Sequence, residues 1–330
     1  MKKINQFPKR INKNFKNTIL KWQGKRHSKN YDIKNTIIIA GVPRGGTTWL
    51  LEILLNSLPT SCGIWEPLML PTDVRLKELS FSWREYIEPD RDWREAETLF
   101  RDIFSGINLN VSNIFKFSWF EYLKQIQEAD RYIVKFCRAN RLLKWVTTKF
   151  KTQLPILLIR HPCAVVASQL SHGAWARVSS DHPYLNLEYI KKRPWIKKII
   201  DNVNTPEEKL TVTWCLDYYI PLSEPNPHPW TLTTYEKLVN AGEDEIKRIF
   251  QSLEQEVPKS VDEYLRMPSR STRMDSNVMQ GKNPLTTWKI RLSEEQQNNI
   301  LDIVTKFGLD FYTENLEPDY KRLYEEPIQK

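Results

Sequence analysis

Short apolar runs alternate along the chain with longer stretches in which apolar residues recur at helical spacing. The runs are rich in β-branched residues, as is typical of buried strands. They are residues 36–40, 131–136, 154–159 and 230–234. Helices are predicted between and after them, at 49–58, 141–151, 163–170, 243–253 and 293–307, the last beginning with a capping box formed by Ser293 and Gln296. This order predicts an α/β fold, a single domain with a central parallel β-sheet flanked by helices.

The carboxyl ends of the predicted strands are the places to search for function, because open parallel sheets bind their ligands there. Residues 67–130 and 171–228 show no regular strand pattern and are rich in Trp and Tyr. We expect these insertions to form a pocket over that edge of the sheet. Aromatic clusters more often belong to a core, so no individual ring is predicted to contact a ligand.

The net charge is concentrated at the N-terminal end of the chain. The whole sequence carries a net charge of +9, but residues 1–36 contain eleven basic residues and one acidic residue, Asp32. The remainder is therefore close to neutral, and we divide the sequence into a basic arm (1–35), a folded domain (36–315) and a C-terminal tail (316–330). A solvated, partly helical arm is the simplest interpretation. Contact with an anionic membrane or another polyanion is the alternative, and no specific nucleic-acid partner is predicted.

Cysteine usage and hydropathy indicate the compartment. The four cysteines lack CxxC spacing, so neither a disulfide framework nor a zinc site is expected. They are Cys62, Cys137, Cys163 and Cys215. No apolar run approaches the ~20 residues needed to cross a bilayer, and the basic N-terminal segment lacks the apolar stretch of a secretory signal. The sequence therefore predicts a cytoplasmic protein, with peripheral membrane contact through the arm as an addition.

The first candidate motif is a glycine-bearing loop, residues 41–50, that follows a strand and opens a helix. Its glycines let the backbone turn and direct N–H groups inward, and its threonine hydroxyls can donate to phosphate oxygens. The residues concerned are Gly41, Arg44, Gly45, Gly46, Thr47 and Thr48. A kinase or NTPase loop would end in Gly-Lys-Ser/Thr, whereas the cation here is the earlier Arg44. The loop therefore predicts an anion site that differs from the nucleoside-triphosphate loop.

The second candidate motif is a pair of polar residues after the third predicted strand. Arg160 follows the strand directly, and Ser168 lies eight residues later, about two turns into the next helix. Arginine offers a planar, bidentate phosphate contact that a serine hydroxyl can complete. His161 is interpreted as a residue that shapes the turn.

Together these segments resemble the donor-binding motifs of sulfotransferases that use 3′-phosphoadenosine-5′-phosphosulfate (PAPS). The loop is similar to that family's Pro-Lys/Arg-Ser-Gly-Thr-Thr-Trp segment, with Gly45 where Ser is usual, and Arg160 and Ser168 are similar to its 3′-phosphate-binding pair. The resemblance covers residues 36–312. It implies a P-loop-containing nucleotide-hydrolase-like fold, PAPS as the co-substrate, 3′-phosphoadenosine-5′-phosphate (PAP) as the product, and no metal.

The resemblance also implies further donor contacts. Trp49 corresponds to the family's adenine-contacting Trp, and Tyr235 lies in a segment similar to its Tyr-Glu-Asp-Leu element. Lys282 lies shortly before the Trp288-Lys289 pair, in a segment similar to the family's loop that covers the 3′-phosphate. The 5′-phosphosulfate would be held by the loop residues Arg44, Gly45, Gly46, Thr47 and Thr48.

The catalytic base is where the sequence departs from the small-molecule branch of the family. Cys137 stands at the position of that branch's catalytic His. Glu66 begins a Glu-Pro-Leu segment similar to that of carbohydrate-type sulfotransferases, which implies Glu66 as the base. Arg44 would stabilise charge on the bridging oxygen, and Lys135 would reach the sulfate side. The alternative bases are His172 and His182.

The expected function is sulfuryl transfer from PAPS to a hydroxyl or amine acceptor, a small molecule or a glycan. Glu66 favours the glycan. A P-loop kinase or NTPase is the enzymatic alternative, but it requires the lysine that the loop lacks. A nucleotide-binding module that docks through its basic arm is the non-enzymatic alternative.

Overall fold

A five-stranded parallel β-sheet forms the centre of the computed structural model. The structure describes residues 6–69, 74–107, 109–114, 118–173, 175, 187–272 and 283–328, and for residues 6–12 and 187 it describes only the backbone. The strands are β1 (Ile37–Gly41), β2 (Ser61–Trp65), β3 (Arg131–Phe136), β4 (Ile156–Ile159) and β5 (Thr231–Thr234). Their order is β2-β3-β1-β4-β5, and every neighbouring pair is parallel. The predicted fold class is therefore confirmed.

Helices connect the strands and follow the last of them. The first eight are α1 (Gln6–His27), α2 (Thr47–Ser57), α3 (Val74–Glu78), α4 (Arg94–Phe104), α5 (Trp119–Glu128), α6 (Leu143–Lys149), α7 (Pro162–His172) and α8 (Leu187–Lys191). The remaining eight are α9 (Pro194–Ile200), α10 (Pro206–Leu222), α11 (Tyr235–Asn240), α12 (Gly242–Ser252), α13 (Val261–Arg266), α14 (Thr287–Arg291), α15 (Glu294–Lys306) and α16 (Tyr320–Glu325).

Alternate residues of the strands face two helical layers. Ile37 and Ile39 of β1 pack in one apolar cluster with α2 and α12. Ile38 packs on the opposite face with α4, and Ala40 packs there with α7 and α10. Burial on both faces explains why β1 and β4 are apolar runs without polar alternation.

The four predicted strands are confirmed to within two residues, whereas β2 was missed. Three of the five residues of β2 are Ser61, Cys62 and Gly63, so it lacks the β-branched run that marks the others. The strand predicted from residue 154 starts two residues later, after Pro155, which has no amide N–H to give to the ladder. The predicted capping box is confirmed, since the Gln296 amide donates to Ser293 Oγ at 3.2 Å and the Ser293 amide donates to Gln296 Oε1 at 3.1 Å.

The basic N-terminal segment forms α1, and one of its sides packs on the domain. Leu20 is fully buried in the cluster that contains α4 and α5. His27 Nε2 lies 2.6 Å from the Ala129 carbonyl oxygen, and His27 Nδ1 lies 3.0 Å from the Tyr132 hydroxyl. The arm is therefore anchored beside β3 rather than solvated on all sides. None of the helices in the described parts of the chain is long and apolar enough to span a membrane.

Candidate active site

A cavity of about 1050 Å³ opens at the carboxyl ends of the strands, and each of the five strands supplies a residue to its wall. Arg44 follows β1, Glu66 follows β2, Arg138 follows β3, Arg160 follows β4 and Tyr235 follows β5. After the central strand β1, the chain forms β2 and β3 on one side of β1. It then crosses over and forms β4 and β5 on the other side of β1. The cavity therefore lies where open α/β sheets bind ligands.

The loop after β1 directs the N-terminus of α2 at this cavity. Gly46 precedes the helix with a φ of 98°, a left-handed conformation that glycine adopts without steric cost. Thr47 and Thr48 form the first turn of α2 and line the cavity. No described side chain caps this helix, whereas capping boxes close α5, α10 and α15. An uncapped helix N-terminus facing a cavity is suited to an anion.

Gly45 shapes the loop without lining the cavity. Its amide donates to the Val42 carbonyl oxygen at 2.9 Å. A Cβ atom on residue 45 would lie 2.9 Å from the same oxygen, so a serine would force the turn to shift. The departure from the family's usual serine therefore has a steric reason in this chain.

Arg44 joins the two predicted phosphate motifs. Its Nε donates to Ser168 Oγ at 3.0 Å, and its carbonyl oxygen accepts a hydrogen bond from Arg160 Nη1 at 3.0 Å. Its backbone is left-handed, with a φ of 70°. The structure thus brings the loop after β1 and the Arg160–Ser168 pair into direct contact, although they are about 120 residues apart in sequence.

Arg160 has donor capacity left for a ligand. Its guanidinium lies 4.0 Å from the centre of the Tyr235 ring, and Tyr235 meets Trp49 edge to face at 5.5 Å. Arg160 Nε is buried and has no hydrogen-bond partner among the described residues. Arg160 also lines the cavity, and a guanidinium is a planar, bidentate partner for a phosphate.

Glu66 is a buried carboxylate held by three donors. Lys135 Nζ lies 2.6 Å from Glu66 Oε1, and the Cys137 amide and Arg138 Nη1 reach Oε2 at 3.1 and 3.4 Å. Burial acts to raise the pKa of the carboxyl, but Lys135, Arg138 and these hydrogen bonds together hold the pKa below its ordinary value. Glu66 is therefore ionised at neutral pH. Its φ of 47° is uncommon for a residue other than glycine.

The residues around Glu66 contact the loop after β1 through Cys137. Cys137 Sγ lies 3.5 Å from Thr47 Oγ1. Burial and the nearby Glu66 carboxylate raise the pKa of the Cys137 thiol to about 11, so it stays protonated. Burial acts to lower the pKa of Lys135, but its ion pair with the Glu66 carboxylate raises that pKa above its ordinary value, so Lys135 remains a cation. Cys137, which by resemblance stands at the position of the small-molecule branch's histidine, is thus inert as a base, and the ionised Glu66 carboxylate lies beside it.

The cavity has cationic and aromatic walls that the sequence did not identify. The Arg138 guanidinium stacks 3.8 Å from the centre of the Trp83 ring, and Trp65 lies 5.1 Å from Lys135 Nζ. Arg84 also lines the cavity and forms a buried ion pair with Asp217. Arg138 could have been found, because it lies just past the carboxyl end of a predicted strand. Arg84 and Trp83 carry no such signal in the sequence.

The remaining predicted residues have different outcomes. His172 lines the cavity at the end of α7, where it meets Trp175 edge to face at 5.1 Å. His161 is buried and stacks on Trp288 at 4.5 Å, and its Nδ1 accepts from the Cys163 amide at 3.2 Å, consistent with a structural role. Lys282 and His182 lie outside the described residues. A search of the described residues for three or more clustered His, Cys, Asp or Glu side chains found no such group.

Comparison with known proteins gives one family and several similar folds. The sequence matches the sulfotransferase domain family over residues 34–300, which includes all five strands. Among solved structures, the chain is similar to the sulfotransferase domain from the Synechococcus PCC 7002 olefin synthase, at 18% identity over 84% of this chain and 96% of that one, with a TM-score of 0.45. A mouse sulfotransferase complexed with PAP is 16% identical over 86% of this chain and 87% of that one, with a TM-score of 0.43. No curated protein matches at a significant level.

Proposed function

We propose that this chain, which belongs to the sulfotransferase family, transfers a sulfuryl group from PAPS to a hydroxyl or amine acceptor. The family establishes sulfuryl transfer, and the proposal concerns the donor, the acceptor class and the role of each residue. One arrangement carries it. A single cavity has an uncapped helix N-terminus and the Arg160 guanidinium on one side and the ionised Glu66 on the other.

The donor would occupy the wall formed by β1, β4 and β5. The amides and hydroxyls at the start of α2 would bind the 5′-phosphosulfate, with Gly45 and Gly46 shaping the turn. Arg160 and Ser168 would bind the 3′-phosphate, and Trp49 and Tyr235 would contact the adenine. Lys282 stays a predicted 3′-phosphate contact. The direct bonds from Arg44 to both members of the Arg160–Ser168 pair support one continuous nucleotide site.

In the proposed reaction the acceptor oxygen or nitrogen attacks the sulfur as the bond from sulfur to the bridging phosphate oxygen breaks. The acceptor's proton passes to Glu66, and the electron pair of the broken bond remains on PAP. Arg44 and Lys135 would stabilise the negative charge that grows on the bridging oxygen and the sulfuryl group.

Lys135 would also adjust the basicity of Glu66. In the structure Lys135 contributes to the low pKa of the Glu66 carboxyl, which makes that carboxylate a weak base. A donor sulfate within reach of Lys135 would draw the ammonium away, and the pKa of Glu66 would rise towards its ordinary value. The base would thus gain strength when the donor is bound.

The acceptor would occupy the remaining wall, beside Glu66, Trp83 and Trp175. Flat aromatic side chains can pack against a sugar ring or another flat acceptor. The acceptor would therefore be a small molecule or a glycan.

Thermal stability with nucleotides tests the donor assignment. PAP is expected to raise the melting temperature without Mg²⁺, whereas ATP and 5′-AMP should have little effect, because only PAP carries the 3′-phosphate. A ligand at a hundredfold excess over its dissociation constant contributes about 2.7 kcal/mol to stability, which is readily measured. Stabilisation by ATP only in the presence of Mg²⁺ would overturn the assignment and favour a kinase or NTPase.

Glu66→Gln tests the base. It should lower kcat by about 10²- to 10⁴-fold, because a positioned general base contributes about that much. PAP affinity, measured by calorimetry, should stay the same or increase, since the variant removes a negative charge and frees Lys135. His172→Gln is the matched comparison for the alternative base. Near-normal turnover by Glu66→Gln together with a large loss in His172→Gln would move the role to His172.

A further inference from the structure

The outward side of α1 carries two exposed aromatic rings. Phe15 is 64% exposed and Trp22 is 60% exposed. They are seven residues apart, two helical turns, and therefore project from the same side. The opposite side, which includes Leu20 and Gln23, is buried against the domain. Packing on the domain thus holds these two apolar rings towards solvent.

Exposed basic residues lie on the same segment as the two rings. The Arg26 guanidinium lies 5.7 Å from the centre of the Trp22 ring. The other exposed basic residues of this segment are Lys13, Lys21, Lys25 and Lys29. Asp32 is the one acidic residue among residues 1–36, and the rest of the chain is close to neutral. The attraction for an anionic surface is therefore concentrated on one helix.

We infer that this side of α1 binds the surface of an anionic lipid bilayer, with the helix axis parallel to the membrane. A basic helix with aromatic residues on its outer side fits the boundary between headgroups and acyl chains. The rings would enter that boundary, and the Lys and Arg side chains would pair with lipid phosphates and carboxylates.

The two rings favour a bilayer over a soluble polyanion. A soluble polyanion would bind to the basic side chains alone, and the rings would remain exposed to water. A bilayer buries the rings and pairs the cations in one contact, because both kinds of side chain lie on the unpacked part of α1. This surface is built from residues that do not line the cavity, so the inference does not depend on the proposed reaction.

Co-sedimentation with vesicles tests the inference on the full chain. The protein should bind phosphatidylcholine vesicles that contain about a third phosphatidylserine, and binding should weaken as salt is raised. The double variant Phe15→Ser/Trp22→Ser should bind at least about tenfold more weakly, because two rings lose their burial. Lys21→Gln/Lys25→Gln should bind about 30-fold more weakly, from about 1 kcal/mol for each cation near the surface.

Matched variants elsewhere on the surface control for general effects. Ile290→Ser removes an apolar side chain that is 83% exposed, and Lys191→Gln/Lys197→Gln removes two cations whose side chains are about two-thirds exposed. Both should retain wild-type binding. Point variants are preferable to deletion of α1, because deletion would also uncover the contact made by Leu20.

Three results would overturn the inference. One is the absence of binding to the anionic vesicles, and another is equal binding to vesicles of phosphatidylcholine alone. The third is loss of binding in the lysine variant but not in the ring variant, together with tight binding to heparin, which would identify a polyanion site instead.

Discussion

At the scale of single residues, the two side chains placed closest to the proposed chemistry have strained backbones. Arg44 and Glu66 adopt φ values of 70° and 47°, in the left-handed region that residues other than glycine seldom occupy. Such strain costs about 1–3 kcal/mol per residue and persists where the surroundings over-determine the conformation. Glu66 has its three donors, and Arg44 is held by Arg160 and Ser168. At both positions the surrounding hydrogen bonds thus hold a conformation that the backbone alone disfavours.

Gly46→Ala tests how tightly the loop after β1 is constrained. A Cβ atom on residue 46 would lie 2.5 Å from Tyr235 Cδ2, and the backbone is left-handed with a φ of 98°. We expect a loss of about 2–4 kcal/mol in the free energy of unfolding, from backbone strain plus overpacking. Denaturant unfolding measures that loss, and calorimetry should show weaker PAP binding.

Gly173→Ala is the matched control for this substitution. Gly173 has a similar φ of 76°, but nothing lies within 4 Å of an added Cβ atom. It should cost only about 1–2 kcal/mol, from backbone strain alone. Equal losses in the two variants would show that the contact with Tyr235 does not constrain the loop.

At the scale of elements, the strands were predicted where burial on both faces makes the sequence rich in apolar and β-branched residues. β2 escaped because Ser61, Cys62 and Gly63 lack that signal. The loop after β1 was predicted because its glycines and threonines are contiguous. Glu66 was reached only through the resemblance of its segment, since its strand was not predicted. The cluster around it depends on β2 and β3 being neighbours, a pairing that no local pattern specifies.

No pattern in the sequence predicts the buried ion cluster that attaches α10 to the rest of the domain. Asp217 on α10 forms ion pairs with Arg84 and with Arg141 Nε, the latter at 2.8 Å. All three side chains are buried, and Arg84 lies more than 130 residues from Asp217 in sequence. Tyr218, the next residue, donates to the Leu158 carbonyl oxygen at 2.9 Å. The cluster therefore attaches α10 to Arg84, which lines the cavity, and the Tyr218 bond attaches it to β4.

Asp217→Asn should destabilise the protein by about 3–5 kcal/mol, because it leaves two buried guanidinium groups without their shared anion. Denaturant unfolding provides the measurement. Asp201→Asn is the control, since that carboxylate is more than half exposed and pairs with Lys197 at the surface, and it should cost less than about 1 kcal/mol. A similar small loss in both variants would contradict the structural role of the cluster.

At the scale of the whole molecule, one histidine joins the start of α7 to the C-terminal segment. His161 stacks on Trp288 of α14, meets Tyr312 edge to face at 4.9 Å, and places Nε2 2.9 Å from the Thr313 carbonyl oxygen. Because Nδ1 accepts from the Cys163 amide, Nε2 carries the proton and donates to Thr313. The neutral ring thus holds three parts of the chain together.

This arrangement makes stability depend on pH. Burial lowers the pKa of His161 from 6.5 to about 4. Between these pH values the unfolded chain takes up a proton that the folded ring does not. The contribution of His161 to the free energy of unfolding is therefore fully present above pH 6.5 and decreases as the pH falls towards 4. The expected contribution is roughly 3 kcal/mol across this window.

His161→Gln removes the titration while keeping an acceptor and a donor on the side chain. The difference in unfolding free energy between wild type and variant should therefore narrow by roughly 3 kcal/mol as pH is lowered from 7 to 4. Denaturant unfolding at several pH values measures this difference. Parallel stability profiles for the two proteins would show that His161 does not cause the acid sensitivity.

The four cysteines make the folded chain resistant to thiol-modifying reagents. All four are buried and free, and burial raises the pKa of Cys62 and Cys163 to about 12. Alkylating reagents attack the thiolate, so Cys62, Cys163 and Cys215 should react only when the structure opens. Cys137 lines the cavity, but its pKa of about 11 keeps the thiolate scarce and its reaction slow. A single cysteine introduced on the exposed side of α1 would therefore take a fluorescent label selectively. The wild-type background could then report membrane docking by spectroscopy without prior removal of its own cysteines.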